Sequence, residues 1–160
     1  MLQKIGFLLA FTFLSGGSPE DNTYKKAYYE NGTLKSEGWV RFTIKTGYWK
    51  YYHNNGRMDS QGRYEYDKKE KYWYFYDQNR VRTQEGHFRT NKKVNWWLFY
   101  EKQGRVNHKC QLDKNIKNGY CFKYSENKLA SAEKFENGKK IKEWSSFGDF
   151  EKNNTDTDLK

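Results

Sequence analysis

The chain is predicted to be all-β: an elongated, single-layer, twisted antiparallel meander of about five stacked β-hairpin repeats. Three observations lead there. An aromatic hexapeptide recurs, as Gly47-Tyr48-Trp49-Lys50-Tyr51-Tyr52, Lys71 to Tyr76, Asn95 to Tyr100, Gly119 to Tyr124 and, worn, Lys142 to Phe147. Registered on Tyr29, Tyr52, Tyr76, Tyr100, Tyr124 and Phe147, the period is 23 or 24 residues, and a fixed period in this range marks a repeat array. Only 35% of the 160 residues are hydrophobic, yet 19% are aromatic, so a thin sheet fits better than a thick core. No helical periodicity is visible anywhere.

The N-terminus differs from the rest. Met1-Leu2-Gln3-Lys4 carries one positive charge, Ile5 to Leu14 is apolar, and Ser15-Gly16-Gly17-Ser18 supplies small residues. That layout predicts a secretory signal peptide over 1–18, too short to span a bilayer. A polar lead-in follows, and the repeat domain is placed at 24–148.

Within each repeat, a turn follows the aromatic strand: Glu30-Asn31-Gly32, Asn54-Asn55-Gly56, Gln78-Asn79-Arg80, Lys102-Gln103-Gly104 and Glu126-Asn127-Lys128. Asn-Gly between strand-like runs is a strong hairpin signal. Polar strands follow at Leu34 to Phe42, Met58 to Tyr66, Arg82 to Thr90 and Val106 to Gln111, giving about ten strands in all.

Gly38, Gly62 and Gly86 each stand eleven residues before Trp49, Trp73 and Trp97. If each hairpin folds symmetrically, every indole lies across from a residue with no side chain, which makes room for it. Alternation then puts Leu34, Ser36, Gly38, Val40, Trp49 and Tyr51 on one face, and Lys35, Glu37, Arg41, Tyr48, Lys50 and Tyr52 on the other. Met58, Ser60, Gly62, Tyr64, Trp73 and Phe75 repeat the first pattern. Val81 stands one residue further from its Gly, which predicts a bulge peculiar to the third repeat.

In the fourth repeat both members of the facing pair are cysteines, Cys110 and Cys121. A cross-strand disulfide follows, and with it an oxidising, exported location. The fifth repeat keeps Phe135, Asn137-Gly138 and Trp144, but its polar strand is degraded around Ala130 to Lys134. Residues 149–160 lack an apolar pattern and read as an unstructured tail.

The pattern Tyr-Tyr-x-Asn-Gly-x-Leu-Lys-x-Glu-Gly followed by Gly-x-Trp-x-Tyr-Tyr, seen in full at Tyr28 to Tyr52, resembles the bacterial variant of the MORN repeat. The resemblance covers roughly residues 28 to 147. It implies stacked β-hairpins in a long twisted sheet, a scaffold or adaptor role and, in some members, contact with phospholipid headgroups. One bacterial group with such repeats is antitoxin-like and intracellular, which fits poorly with the leader. The pattern is broken where Lys71 and Asn95 replace the Gly before Tyr72 and Trp96, and where Asn79-Arg80 replaces Asn-Gly.

No catalytic constellation, cofactor fingerprint or metal-ligand spacing is present. His53, His87 and His108 occupy three different repeat positions, none near a zinc-like partner. The expected function is that of an exported, non-enzymatic interaction module; the alternatives are a cytoplasmic antitoxin or immunity-type protein and, behind it, a glycan-active enzyme using Glu37 and Glu65. Two surfaces are candidates for binding. One is the aromatic ladder Trp49, Tyr51, Trp73, Phe75, Trp97, Phe99 and Trp144, which also reads as the core of a one-layer sheet. The other is the opposite face, where Lys35, Arg41, Lys50, Arg63 and Arg89 are interleaved with Tyr48, Tyr52, Tyr72 and Tyr76, and where Glu37, Asp59 and Glu65 break up the patch. A net charge of +10 favours an anionic partner. The expected partners are another protein or an anionic envelope component, glycan or lipid headgroup, with nucleic acid disfavoured in an exported protein. Open sheet edges would also permit self-association.

Overall fold

The structure, a computed structural model, describes residues 22–154. The leader placed at 1–18 and the last six residues of the tail lie outside them. The described chain forms one open antiparallel sheet of 11 strands, each hydrogen-bonded only to its neighbours in sequence. These are β1 (Asn22–Tyr28), β2 (Leu34–Arg41), β3 (Ile44–Tyr52), β4 (Met58–Glu65), β5 (Lys68–Tyr76), β6 (Arg82–Arg89), β7 (Lys92–Tyr100), β8 (Val106–Asp113), β9 (Ile116–Ser125), β10 (Lys128–Glu136) and β11 (Lys139–Trp144). The meander is as predicted, with 11 strands where about ten were expected. β1 lies at one edge of the sheet, and all seven of its residues are exposed.

The Gly–Trp pairing holds in the predicted register: Gly38 faces Trp49, Gly62 faces Trp73 and Gly86 faces Trp97. Closer to the turn the register departs from symmetry. Trp39 pairs with Thr46, Arg63 with Glu70 and His87 with Val94, so two residues of each aromatic strand are looped out beside the Trp. The bulge frees carbonyls that the indole N–H then takes. Trp49 Nε1 donates to the carbonyls of Trp39 and Thr46 at 2.9 and 3.2 Å. Trp73 donates to Arg63 and Glu70, and Trp97 to His87. The bulge needs a left-handed residue, supplied by Gly47 (φ 64°), by Lys71 (60°) and Asn95 (62°) where the glycine is missing, and by Gly119 (107°).

Two turn types alternate. The loops through Asn31-Gly32 and Asn55-Gly56 have positive φ at the glycine alone, and the strands leaving them shift register by one residue, as at Tyr28 facing Leu34. This is a type I turn closed by a glycine bulge, not a two-residue Asn-Gly turn. The same shift occurs at Tyr52, Tyr76 and Tyr100, so the bulge expected of the third repeat alone is common to the first four. Anchored on Tyr28 in place of Tyr29, the period is 24 throughout this part. Arg80 occupies the glycine position at φ 70°, a conformation that L side chains disfavour. Arg80→Gly is therefore expected to raise stability by about 1 kcal/mol in a denaturant titration. Of the two-residue turns, Tyr66-Asp67, Thr90-Asn91 and Lys114-Asn115 have positive φ at both residues, the type I′ hairpin form, whereas Phe42-Thr43 has it at Phe42 alone.

Trp73 and Trp97 are 0% exposed, and Val40, Trp49, Tyr64, Phe88, Cys110, Leu112 and Cys121 join them in a core on one face of the sheet, the tryptophan face. Leu34 and Met58, expected on it, belong to neither core cluster.

The fifth repeat changes face. Its first connection is only two residues, Glu126-Asn127, and Ala130 is left unpaired on β10. Trp144 consequently faces Ala132, which in turn faces Phe122. A one-residue slip moves a side chain to the other side of a sheet, so Trp144 does not belong to the ladder in which it was expected. It packs with Tyr120, Phe122, Ala132 and Phe150 on the opposite face, and its buried N–H has no acceptor among the described residues. Contrary to the expectation of no helix and a tail from 149, α1 (Phe147–Asn153) covers this cluster. Ser146 caps it by accepting from the Asp149 N–H, and Phe150, 1% exposed, meets Tyr120, Phe122 and Trp144 edge to face. Seven residues are too few to show a helical period, which is why the sequence concealed the helix.

Candidate functional site

The tryptophan face carries a row of lysines. Lys45, Lys69, Lys93 and Lys117 stand at the same position of successive repeats, near the start of each aromatic strand. Each ammonium lies over an aromatic ring: 4.7 Å from the Trp49 centroid, 4.5 Å from Trp73, 4.2 Å from Trp97 and, for Lys117, 4.6 Å from Phe135. The quadrupole of the ring attracts the cation, and the lysine stem covers the indole from solvent. The expected ladder is thereby sorted. Trp49, Trp73 and Trp97 are closed core residues, whereas Tyr51, Phe75 and Phe99 are half-buried against them.

The row is held by hydrogen bonds between repeats. Asp67, Asn91 and Asn115 each accept at Oδ1 from the backbone N–H of Lys45, Lys69 and Lys93, at 2.8, 2.6 and 2.8 Å. Their own N–H groups donate back to the carbonyls of the same lysines. At the side chains, Lys45 Nζ donates to Tyr51 Oη (2.8 Å) and Lys93 Nζ to Gln84 Oε1 (2.6 Å). Burial lowers the pKa of Lys69 and of Lys93, and repulsion within the row, Lys45 on Lys69 and Lys69 on Lys93, lowers them further; Asp59 opposes this at Lys69. Sequence reasoning missed these lysines. The signal was present as a 24-residue recurrence of Lys four residues before Trp49, Trp73 and Trp97, an even spacing that places each Lys on the face of its Trp.

The opposite face mixes basic residues with acidic ones. Lys50 faces Glu37 and Gln61 across the sheet, Arg63 is exposed beside Tyr48, and Arg89 lies at the strand end opposite Lys92. Carboxylates interrupt them. Tyr52 Oη donates to Glu37 Oε1 at 2.7 Å, and this bond holds the Glu37 carboxyl below its ordinary range against the opposing effect of burial. Tyr100 and Arg82 hold Glu85, each at 2.7 Å, with the guanidinium stacked 5.1 Å from the Tyr74 centroid. Glu37 and Glu65 are not brought together. They lie two strands and about four residues apart, roughly 16 Å, beyond the ~9.5 Å over which paired carboxylates cooperate in glycoside hydrolysis.

The histidines have structural surroundings. His53 Nε2 contacts the Tyr76 carbonyl at 3.0 Å, the role Tyr29 Oη plays toward the Tyr52 carbonyl. His108 is depressed first by burial and then by Lys117 and Lys123. Among the described residues no three His, Cys, Asp or Glu side chains form a group that could hold a metal ion, and no helix is long and apolar enough to cross a membrane.

Cys110 and Cys121 face each other with sulfurs at bonding distance, 2.14 Å, at the place where the Gly–Trp column would continue. The next position in that column is Glu133, 4% exposed, which accepts from Lys123 Nζ (2.8 Å) and Lys140 Nζ (3.3 Å). Burial would raise its pKa, but the two ammonium groups outweigh it and the net shift is downward. A carboxylate depressed in the folded state contributes stability above its unfolded pKa, and that contribution is lost as pH falls through the folded value. Acidification below the ordinary carboxylate range should therefore weaken the C-terminal repeats. Glu133→Gln is expected to flatten the acid limb of a stability-versus-pH curve, and an unchanged limb would contradict this assignment.

Compared with known protein families and with curated proteins, the chain matches none.

Proposed function

We propose that this protein is an exported, MORN-like repeat module that binds a partner and performs no chemistry of its own. The observation that carries this reading is the open sheet itself: repeats of one design present the same side chains at a fixed spacing along one surface. Specificity then resides in which side chains each repeat displays, and the partner is another protein or an anionic component of the cell envelope. The facing cysteines at bonding distance support an oxidising location and favour this over an intracellular antitoxin-type role. Crosslinking in the producing cell, followed by pull-down from the envelope fraction and N-terminal sequencing of the recovered chain, tests the reading. A specific partner on a chain that starts after the leader is expected. Recovery from the cytosol alone, starting at Met1 and with two free thiols, would overturn it.

A further inference from the structure

The lysine row has a direction, a period and a consistent sign. Alternation traced from the Gly–Trp pairs places no Asp or Glu at a tryptophan-face strand position between β1 and β9, whereas Lys25, Lys45, Lys69, Lys93, Lys117 and Lys123 stand there. Among the described residues none of Lys45, Lys69, Lys93 and Lys117 is ion-paired. At strand positions carboxylates return to this face only in the last repeat, at Glu133 and Glu143; beside the row, the turn residue Asp67 accepts from the Lys45 N–H and Asp59 acts on Lys69. Like charges aligned in this way repel, and an anion laid along them removes the repulsion.

Successive lysines of the row are two strands apart, about 10 Å. Two sugar units of an extended polysaccharide cover about the same length. The rings of Tyr51, Phe75 and Phe99 each lie beside the ammonium of their own strand, 5.2, 5.1 and 5.6 Å from Lys45, Lys69 and Lys93 Nζ, and being only half-buried they offer apolar surface for the C–H face of a sugar ring. Single-stranded nucleic acid fits less well: its phosphates come at every nucleotide, and its bases stack on open aromatic faces, whereas the indoles here are closed beneath the lysine stems. Resting on the interaction-module reading above, we infer that the tryptophan face binds a linear anionic polysaccharide with one carboxylate or sulfate per disaccharide, one anionic group to each of Lys45, Lys69, Lys93 and Lys117.

The test uses the full chain and hyaluronan oligosaccharides of defined length, with uncharged dextran and single-stranded DNA as comparisons, by calorimetry at two salt concentrations. Affinity should rise with length until about four disaccharides span the row, and should fall with added salt. Lys69→Gln combined with Lys93→Gln should weaken binding about tenfold or more. The charge-preserving pair Lys69→Arg and Lys93→Arg should retain it, which separates loss of contact from loss of fold. Lys109→Gln, on the other face, should leave it unchanged. Absence of hyaluronan binding at every length, equal binding of dextran, tighter DNA binding with the same variant pattern, or equal loss in Lys109→Gln would each overturn the inference. A specific envelope protein recovered by pull-down without any hyaluronan binding would remove this inference alone and leave the interaction-module reading standing.

Discussion

Gly62→Ala is expected to destabilise the protein by about 3 kcal/mol, at the upper end of the usual range for overpacking a core. A Cβ at this position would lie 2.3 Å from Trp73 Cδ2 and 2.4 Å from Cε2. Neither partner can yield. The indole is fully buried, its N–H is tied to two carbonyls, the Tyr64 ring stands edge-on to it at 5.1 Å, and Lys69 lies over it. Trp73→Ala should cost about 4 kcal/mol by itself, yet the two changes should not add, because the methyl introduced at Gly62 meets no clash once the indole is gone. Gly32→Ala is the control. Nothing lies within 4 Å of its would-be Cβ, and only its φ of 79° is unfavourable, so a loss of about 1 kcal/mol is expected. Urea titrations of the three single variants and the double variant check the set. Additive losses at Gly62 and Trp73 would show that the glycine is needed for some reason other than the indole.

Reduction of the Cys110–Cys121 pair should cost about 3 kcal/mol, the loop-closure contribution for a cross-link joining residues this close in sequence. The loss should appear first in β8 and β9, since these strands have neither a facing Gly–Trp pair nor the indole-to-carbonyl bonds of the earlier repeats. Hydrogen exchange with and without reductant measures both the size and the place of the effect. Uniform loss of protection along the chain would mean that the repeats unfold as one unit and that the cross-link has no local role. Replacing the pair by the array's own solution, Cys110→Gly with Cys121→Trp, should recover part of the stability under reducing conditions.

The scaffold was legible because its determinants are local and repeated. The Gly-to-Trp spacing of eleven residues fixes the register at Gly38, Gly62 and Gly86, and the same arithmetic places Cys110 against Cys121. What escaped was caused by single residues that break a rule. The looped-out pair beside each Trp shifts the pairing by two residues, which leaves the face of Lys45 unchanged but sets it opposite Val40 in place of Phe42, and symmetric pairing could not show that. The 23-residue step into the last repeat was itself the sign that Trp144 changes face. It was obscured because registering the first repeat on Tyr29 gave another step of 23, whereas Tyr28 is the true equivalent of Tyr52. The binding candidates on the opposite face, Lys50, Arg63 and Arg89, were chosen by composition, and composition does not reveal that Tyr52 and Tyr100 already engage the neighbouring glutamates.

The hydrogen bonds between Asp67, Asn91 or Asn115 and the lysines of the preceding repeat all join residues 22 apart in sequence. Among the described residues no strand pairs with any but its sequential neighbour. Ring closures within the sheet are therefore all short, and their entropic cost does not grow with the number of repeats. Such a topology predicts that the protein folds by zipping outward from whichever hairpin forms first, at a rate that barely depends on its length. Inserting a further copy of residues 53–76 should leave that rate nearly unchanged while lengthening the array by one unit.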